Sequence, residues 1–87
     1  MNTILYCFYD LSVSPASYDF LTFLQLAELH RIRHGFDQTF FIFVPGPKDG
    51  FRDDNLSKTT AQRYMMMRNV VVPSCRLLSS HIGTIWL

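Results

Sequence analysis

The sequence predicts an α/β domain built on a β-α-β-α-β unit with a mostly parallel, incomplete sheet. Three observations carry this. Two short runs, Thr3–Tyr9 and Thr39–Val44, are apolar without clean alternation, as strands buried on both faces of a parallel sheet should be. A helical pattern separates them. A second helical pattern follows, and it leads to a third β-branched run. Strands spaced by helices of ordinary length imply parallel strands with right-handed crossovers, in a complete or incomplete three-layer arrangement.

Taken in order, Thr3–Tyr9 holds Ile4, Leu5, Tyr6, Cys7, Phe8 and Tyr9, and Asp10 ends it. Ser14-Pro15 reads as an N-cap followed by proline at the first helical position, where its missing N–H costs nothing. Ala16 to His34 then has helical spacing, with Phe20, Leu24, Ala27 and Arg31 in one ladder and Gly35 as the stop. Thr39–Val44 is a Phe-rich second strand. Pro45, Gly46, Pro47 and Gly50 build a long loop, and Ser57 caps a second helix from Lys58 to about Arg68. Val70–Val72 is the third strand, and Ile82 to Leu87 reads as a fourth.

The composition sets limits. The chain has 87 residues, room for one domain over 1–87, yet it is 48% hydrophobic with eight Phe, four Tyr and one Trp. That is more apolar bulk than a lone small domain hides, so part of it is expected to face a partner copy or a further piece of chain. The expected partner is a homodimer mate. A net charge of +1 gives no pull towards nucleic acid or a membrane surface. No apolar run approaches the ~18 residues of a spanning helix, and no basic n-region opens the chain. The expectation is a cytoplasmic protein with Cys7 and Cys75 reduced and buried.

In open parallel sheets, ligands sit outside the carboxyl ends of the strands. That rule selects Asp10 to Ser17, Pro45 to Arg52, and Pro73 to Arg76. The first offers Asp10, Ser12 and Ser14 beside a helix N-terminus, which suits an anion. The second offers Gly46 and Gly50 for close backbone approach, with Lys48 and Arg52 to neutralise a phosphate. Arg76 is expected to reach the same rim from the third strand. A simpler reading makes Ser14 a cap, Asp10 a partner for loop amides, and the 45–52 segment a stiff connection. His30 and His34, four residues apart, read as partners of the helix dipole rather than metal ligands. Neither a cofactor nor a metal is expected.

Tyr9-Asp10-Leu11 after the first strand, Ser14-Pro15 opening a long helix, and Val44-Pro45-Gly46 with Gly50-Phe51-Arg52 after the second carry a resemblance. Over about residues 3–78 the chain resembles the amino-terminal, Rossmann-like half of glycosyltransferases with two facing Rossmann domains. The resemblance implies a truncated or isolated half-domain. Such a half would bind a sugar, nucleotide or other anionic ligand through Asp10, Ser12, Ser14, Gly46, Lys48, Gly50, Arg52 and Arg76, without catalysing a reaction alone. The alternative is a stand-alone, self-associating α/β interaction domain.

Overall fold

The computed structural model describes residues 3–53 and 59–87. The elements are β1 (Ile4–Asp10), α1 (Phe20–His34), β2 (Gln38–Val44), α2 (Thr60–Met66), a π-helical turn (Met67–Val71), α3 (Val72–Ser74), a 3-10 turn (Cys75–Leu77) and β3 (His81–Trp86). The three strands form one parallel sheet in the order β1-β2-β3. The α/β class and the first two strands are therefore those expected from the sequence.

Strand order dictates the layering. When each crossover is right-handed and each strand is added on the same side of the last, the connecting helices fall on one face. The core agrees with this. Cys7 and Tyr9 of β1 and Phe41 and Phe43 of β2 are buried together with Phe20, Leu24 and Ala27 of α1 and Met67 and Val71 of the π turn. Tyr9 packs edge-on against Phe20 and Phe23 at centroid distances of 4.9 and 5.0 Å. The described helices thus pack on one face, giving two layers instead of three. The order also never reverses, so no switch point lies within the described sheet.

Two assignments need correction. Val70–Val72 is not a strand. It continues α2 through the π turn into α3, and β3 is the segment read from the sequence as a fourth strand. Pro73 explains the local form. A proline inside a helix lacks the N–H of a regular turn and crowds the carbonyl four residues back. Here the wider π turn precedes it, with the Val72 N–H bonded five residues back to Met67 O. Met67, Val71 and Cys75, spaced by four, are fully buried and hold this helical run onto the sheet.

The start of α1 also differs. It begins at Phe20 with Asp19 at the N-cap position, so Ser14 does not cap it. The Asp10 carbonyl takes the N–H groups of Val13 (3.1 Å) and Ser14 (2.8 Å), folding a turn. The Tyr9 hydroxyl then donates to Pro15 O at 2.6 Å and pins residues 15–19 outside the helix. Gly35 does end the helix in the left-handed region, at φ 73°, as expected. The expected cap Ser57 lies outside the described residues. Thr59 caps α2 instead, in a reciprocal capping box with Gln62.

Candidate functional site at the carboxyl edge of the sheet

β1 and β2 run in register, so their carboxyl ends, Asp10 and Val44, emerge side by side. The Leu11 N–H extends the ladder to Val44 O at 2.8 Å. The chain after β2 folds into a small antiparallel hairpin in which Lys48 N–H donates to Phe51 O and Phe51 N–H to Lys48 O, both at 2.9 Å. Asp49 (φ 54°) and Gly50 (φ 93°) occupy its two central positions. Two successive positive φ angles define the type I′ turn that Asp-Gly favours.

The hairpin and the β1 loop are locked together. A β carbon at Gly46 would collide with the Phe51 carbonyl and lie 2.7 Å from Leu11 O, so only glycine permits this approach. Arg52 Nη1 donates to Val13 O at 3.3 Å, and Arg63 Nη1 donates to Arg52 O at 2.9 Å. Thr60 Oγ1 donates to an Asp49 carboxylate oxygen at 3.1 Å, tying the hairpin to the first turn of α2.

The structure brings together seven of the eight residues singled out from the sequence. Asp10, Ser12 and Ser14 lie on one loop, and Gly46, Lys48, Gly50 and Arg52 on the other. The Ser12 hydroxyl and N–H donate to the Asp10 carboxylate at 2.6 and 2.9 Å. These bonds hold its pKa below the ordinary aspartate value, the hydroxyl contributing most. Asp10 is therefore a fixed anion. Lys48 is exposed, with Asp53 at 4.0 Å. Arg76 is the exception. The segment 75–77 precedes β3, so Arg76 stands at the amino-terminal edge of the sheet, opposite the rim. Mistaking Val70–Val72 for a strand misplaced it.

Sequence reasoning also missed two polar groups. A hollow of about 340 Å³ opens between the β1 loop and the start of α1, lined by Tyr9, Ser14, Pro15, Asp19, Thr22, Phe23 and Leu26. Neither Asp19 nor Thr22 is among the residues singled out from the sequence. The later helix start, which places Asp19 at the N-cap and Thr22 in the first turn, is the feature that the Ser-Pro signal concealed. A second, more apolar cleft of about 580 Å³ runs along α1 between Leu21, Leu24 and Leu29 and the Leu77-Leu78 segment.

The remaining candidates lie apart from this rim. Cys7 and Cys75 are free and buried, and burial pushes both thiols up to about 11, away from nucleophilic use. Among the described residues no three side chains of metal-binding type gather. His30 and His34 stack on each other at 4.2 Å on the exposed side of α1. No described helix is long and apolar enough to cross a membrane. No family model, curated protein or solved structure matches the chain.

Proposed function

We propose that this chain is a glycosyltransferase-like, Rossmann-like binding half, which holds a sugar- or nucleotide-type anionic ligand at the carboxyl edge of its sheet and does not catalyse alone. The observation that carries this reading is the hollow beside β1. Its lining combines Asp19, Ser14 and Thr22 with Phe23. Hydroxyl-bonding groups beside an aromatic surface are the chemistry that recognises a sugar ring. Arg52, anchored to Val13 O one residue from Ser14, and Lys48 on the adjoining hairpin supply positive charge for a phosphate. The two loops are braced by backbone contacts, so the rim needs little ordering when a ligand arrives.

Asp10 and the two buried cysteines support the absence of independent catalysis from this reading. A carboxylate held ionised by Ser12 is a poor general acid, and thiols raised to about 11 are poor nucleophiles. The test is a backbone amide NMR titration with three separate probes: a nucleoside diphosphate sugar, a nucleoside diphosphate and a free hexose. Saturable shifts at Ser14, Asp19, Thr22 and Lys48 are expected with the nucleotide sugar. Absence of saturable shifts with all three at millimolar concentration would overturn the reading.

A further inference from the structure

Alternation along the strands divides their side chains between two faces. With Cys7, Tyr9, Thr39, Phe41 and Phe43 buried under the helices, the opposite face takes Tyr6 and Phe8 from β1 and Phe40 and Ile42 from β2. β3 pairs Gly83 with Phe40 and Ile85 with Ile42, which adds both to that face. Two rows run across the sheet, Tyr6–Phe40–Gly83 and Phe8–Ile42–Ile85. Phe40 lies over Gly83, where a β carbon would come within 2.6 Å of its ring, and Tyr6 meets Phe40 at 5.9 Å between centroids. No charged side chain interrupts these rows. Yet Tyr6 is 55% exposed, Phe8 59% and Ile85 46%.

We propose that this uncovered sheet face is the interface of a symmetric homodimer, each copy seating its sheet on the other. The area suits such a pair. Three strands about 4.8 Å apart with ~3.3 Å per residue present a face of roughly 14 by 20 Å. Side-chain relief raises that to about 500 Å² per copy, or about 1,000 Å² for the pair, the lower bound for a specific interface. The patch also suits itself. Its two central rows carry no charged side chain, Asp10 standing beyond them at the carboxyl end of β1, so a two-fold contact centred on the rows brings no like charges together. Two parallel sheets then stack ~10 Å apart with their helices outermost, an arrangement that hides the aromatic rows from water. This surface lies away from the carboxyl-edge loops, and the inference stands whether or not that rim binds a ligand.

Sedimentation equilibrium of the full chain across micromolar concentrations tests it. The expected limiting mass is twice the 10.2 kDa of the chain. Phe8→Glu, on an exposed position of an edge strand, should shift the protein to monomer with unchanged far-ultraviolet circular dichroism. Leu29→Glu, equally exposed on the outer side of α1, should leave the dimer intact. Isotope-filtered NOEs in a mixed-label sample should join Phe8, Ile42 and Ile85 across copies, which keeps the proposal testable if the Phe8 variant does not fold. A wild type that stays at 10.2 kDa throughout overturns it. So does a dimer that Leu29→Glu dissociates and Phe8→Glu does not, because association would then run through the helix layer.

Discussion

Glu28 accepts a hydrogen bond from Ser80 at 3.1 Å, joining the middle of α1 to the residue before β3 across 52 positions of chain. Ser80 is buried and also meets Thr39 Oγ1 at 3.2 Å, at the start of the central strand. One hydroxyl therefore links the helix layer to the two strands that must pair last in sequence. Ser80→Ala leaves Thr39 without that partner and should cost about 1–2 kcal/mol. Urea unfolding monitored by Trp86 fluorescence reads this directly, and an unchanged midpoint would refute the role given to Ser80.

The same carboxylate gives the fold an acid-sensitive joint. Bonds from Arg31 first, and from Ser80 second, outweigh burial and hold Glu28 below its ordinary 4.5. A carboxylate with a depressed folded pKa stabilises the native state above the unfolded value. That contribution is lost as pH falls through the lower folded one. Thermal midpoints should fall as the pH drops below about 4.5, and Glu28→Gln should flatten that fall. A variant with the same acid profile as wild type would show that other carboxylates dominate.

Gly46 should be the least replaceable glycine of the carboxyl edge. An added β carbon meets backbone on both sides, the Phe51 carbonyl and Leu11 O at 2.7 Å. Neither can yield cheaply, since Leu11 N–H is bonded to Val44 O and Phe51 N–H to Lys48 O. Gly46→Ala should cost about 2 kcal/mol or more. At Gly50 there is open space, and the penalty of its 93° φ alone is about 1–2 kcal/mol. Chemical denaturation of both variants ranks them, and equal stabilities would contradict the close approach at Gly46.

These contacts show where sequence reading succeeds and where it stops. The first two strands were legible because aromatic and β-branched runs bounded by Asp10 and by Pro45-Gly46 have few other homes. Gly35 was legible because a left-handed helix end demands glycine. Val70–Val72 was misread because local propensity favours a strand there. Tertiary packing decided otherwise, burying Met67, Val71 and Cys75 at helical spacing and absorbing Pro73 with a π turn. That four-residue spacing was present in the sequence and was the better signal. Ser14-Pro15 misled for another reason. It has the chemistry of a helix start, but the Tyr9 hydroxyl captures Pro15 O and postpones the helix to Phe20, a contact no local pattern contains. The single error in strand assignment is what sent Arg76 to the wrong edge.

The hollow beside β1 predicts a division of labour among its variants. Lys48→Ala should weaken phosphate-bearing probes by roughly 10-fold while leaving a free hexose unaffected, since an ammonium attracts the charge and not the ring. Asp19→Asn should weaken both sugar-containing probes and spare the nucleoside diphosphate. Titrations by NMR separate the two patterns. Equal losses for every probe in both variants would mean that the site is not divided in this way.

The buried thiols give the last prediction, and it concerns alkaline pH. Cys7 and Cys75 both lie in the core, where burial raises their pKa from 9.0 to about 11. A neutral thiol is preferred in the folded state because the thiolate would lose its hydration without gaining a cation. The unfolded chain releases these protons near pH 9.0 while the folded chain retains them to about 11. Stability from this source is thus complete below pH 9.0 and declines as pH rises towards 11. Tyr9, raised to about 12 chiefly by burial, extends the decline further. Two measurements follow. Thiol reagents at pH 8 should label the folded protein slowly and the urea-unfolded protein at once. Replacing both cysteines with alanine lowers stability overall through lost packing, yet it should make the unfolding midpoint less dependent on pH between 9 and 11. The slope, not the midpoint, reports the buried thiols, and a double variant with the wild-type slope would assign the alkaline loss to Tyr9 instead.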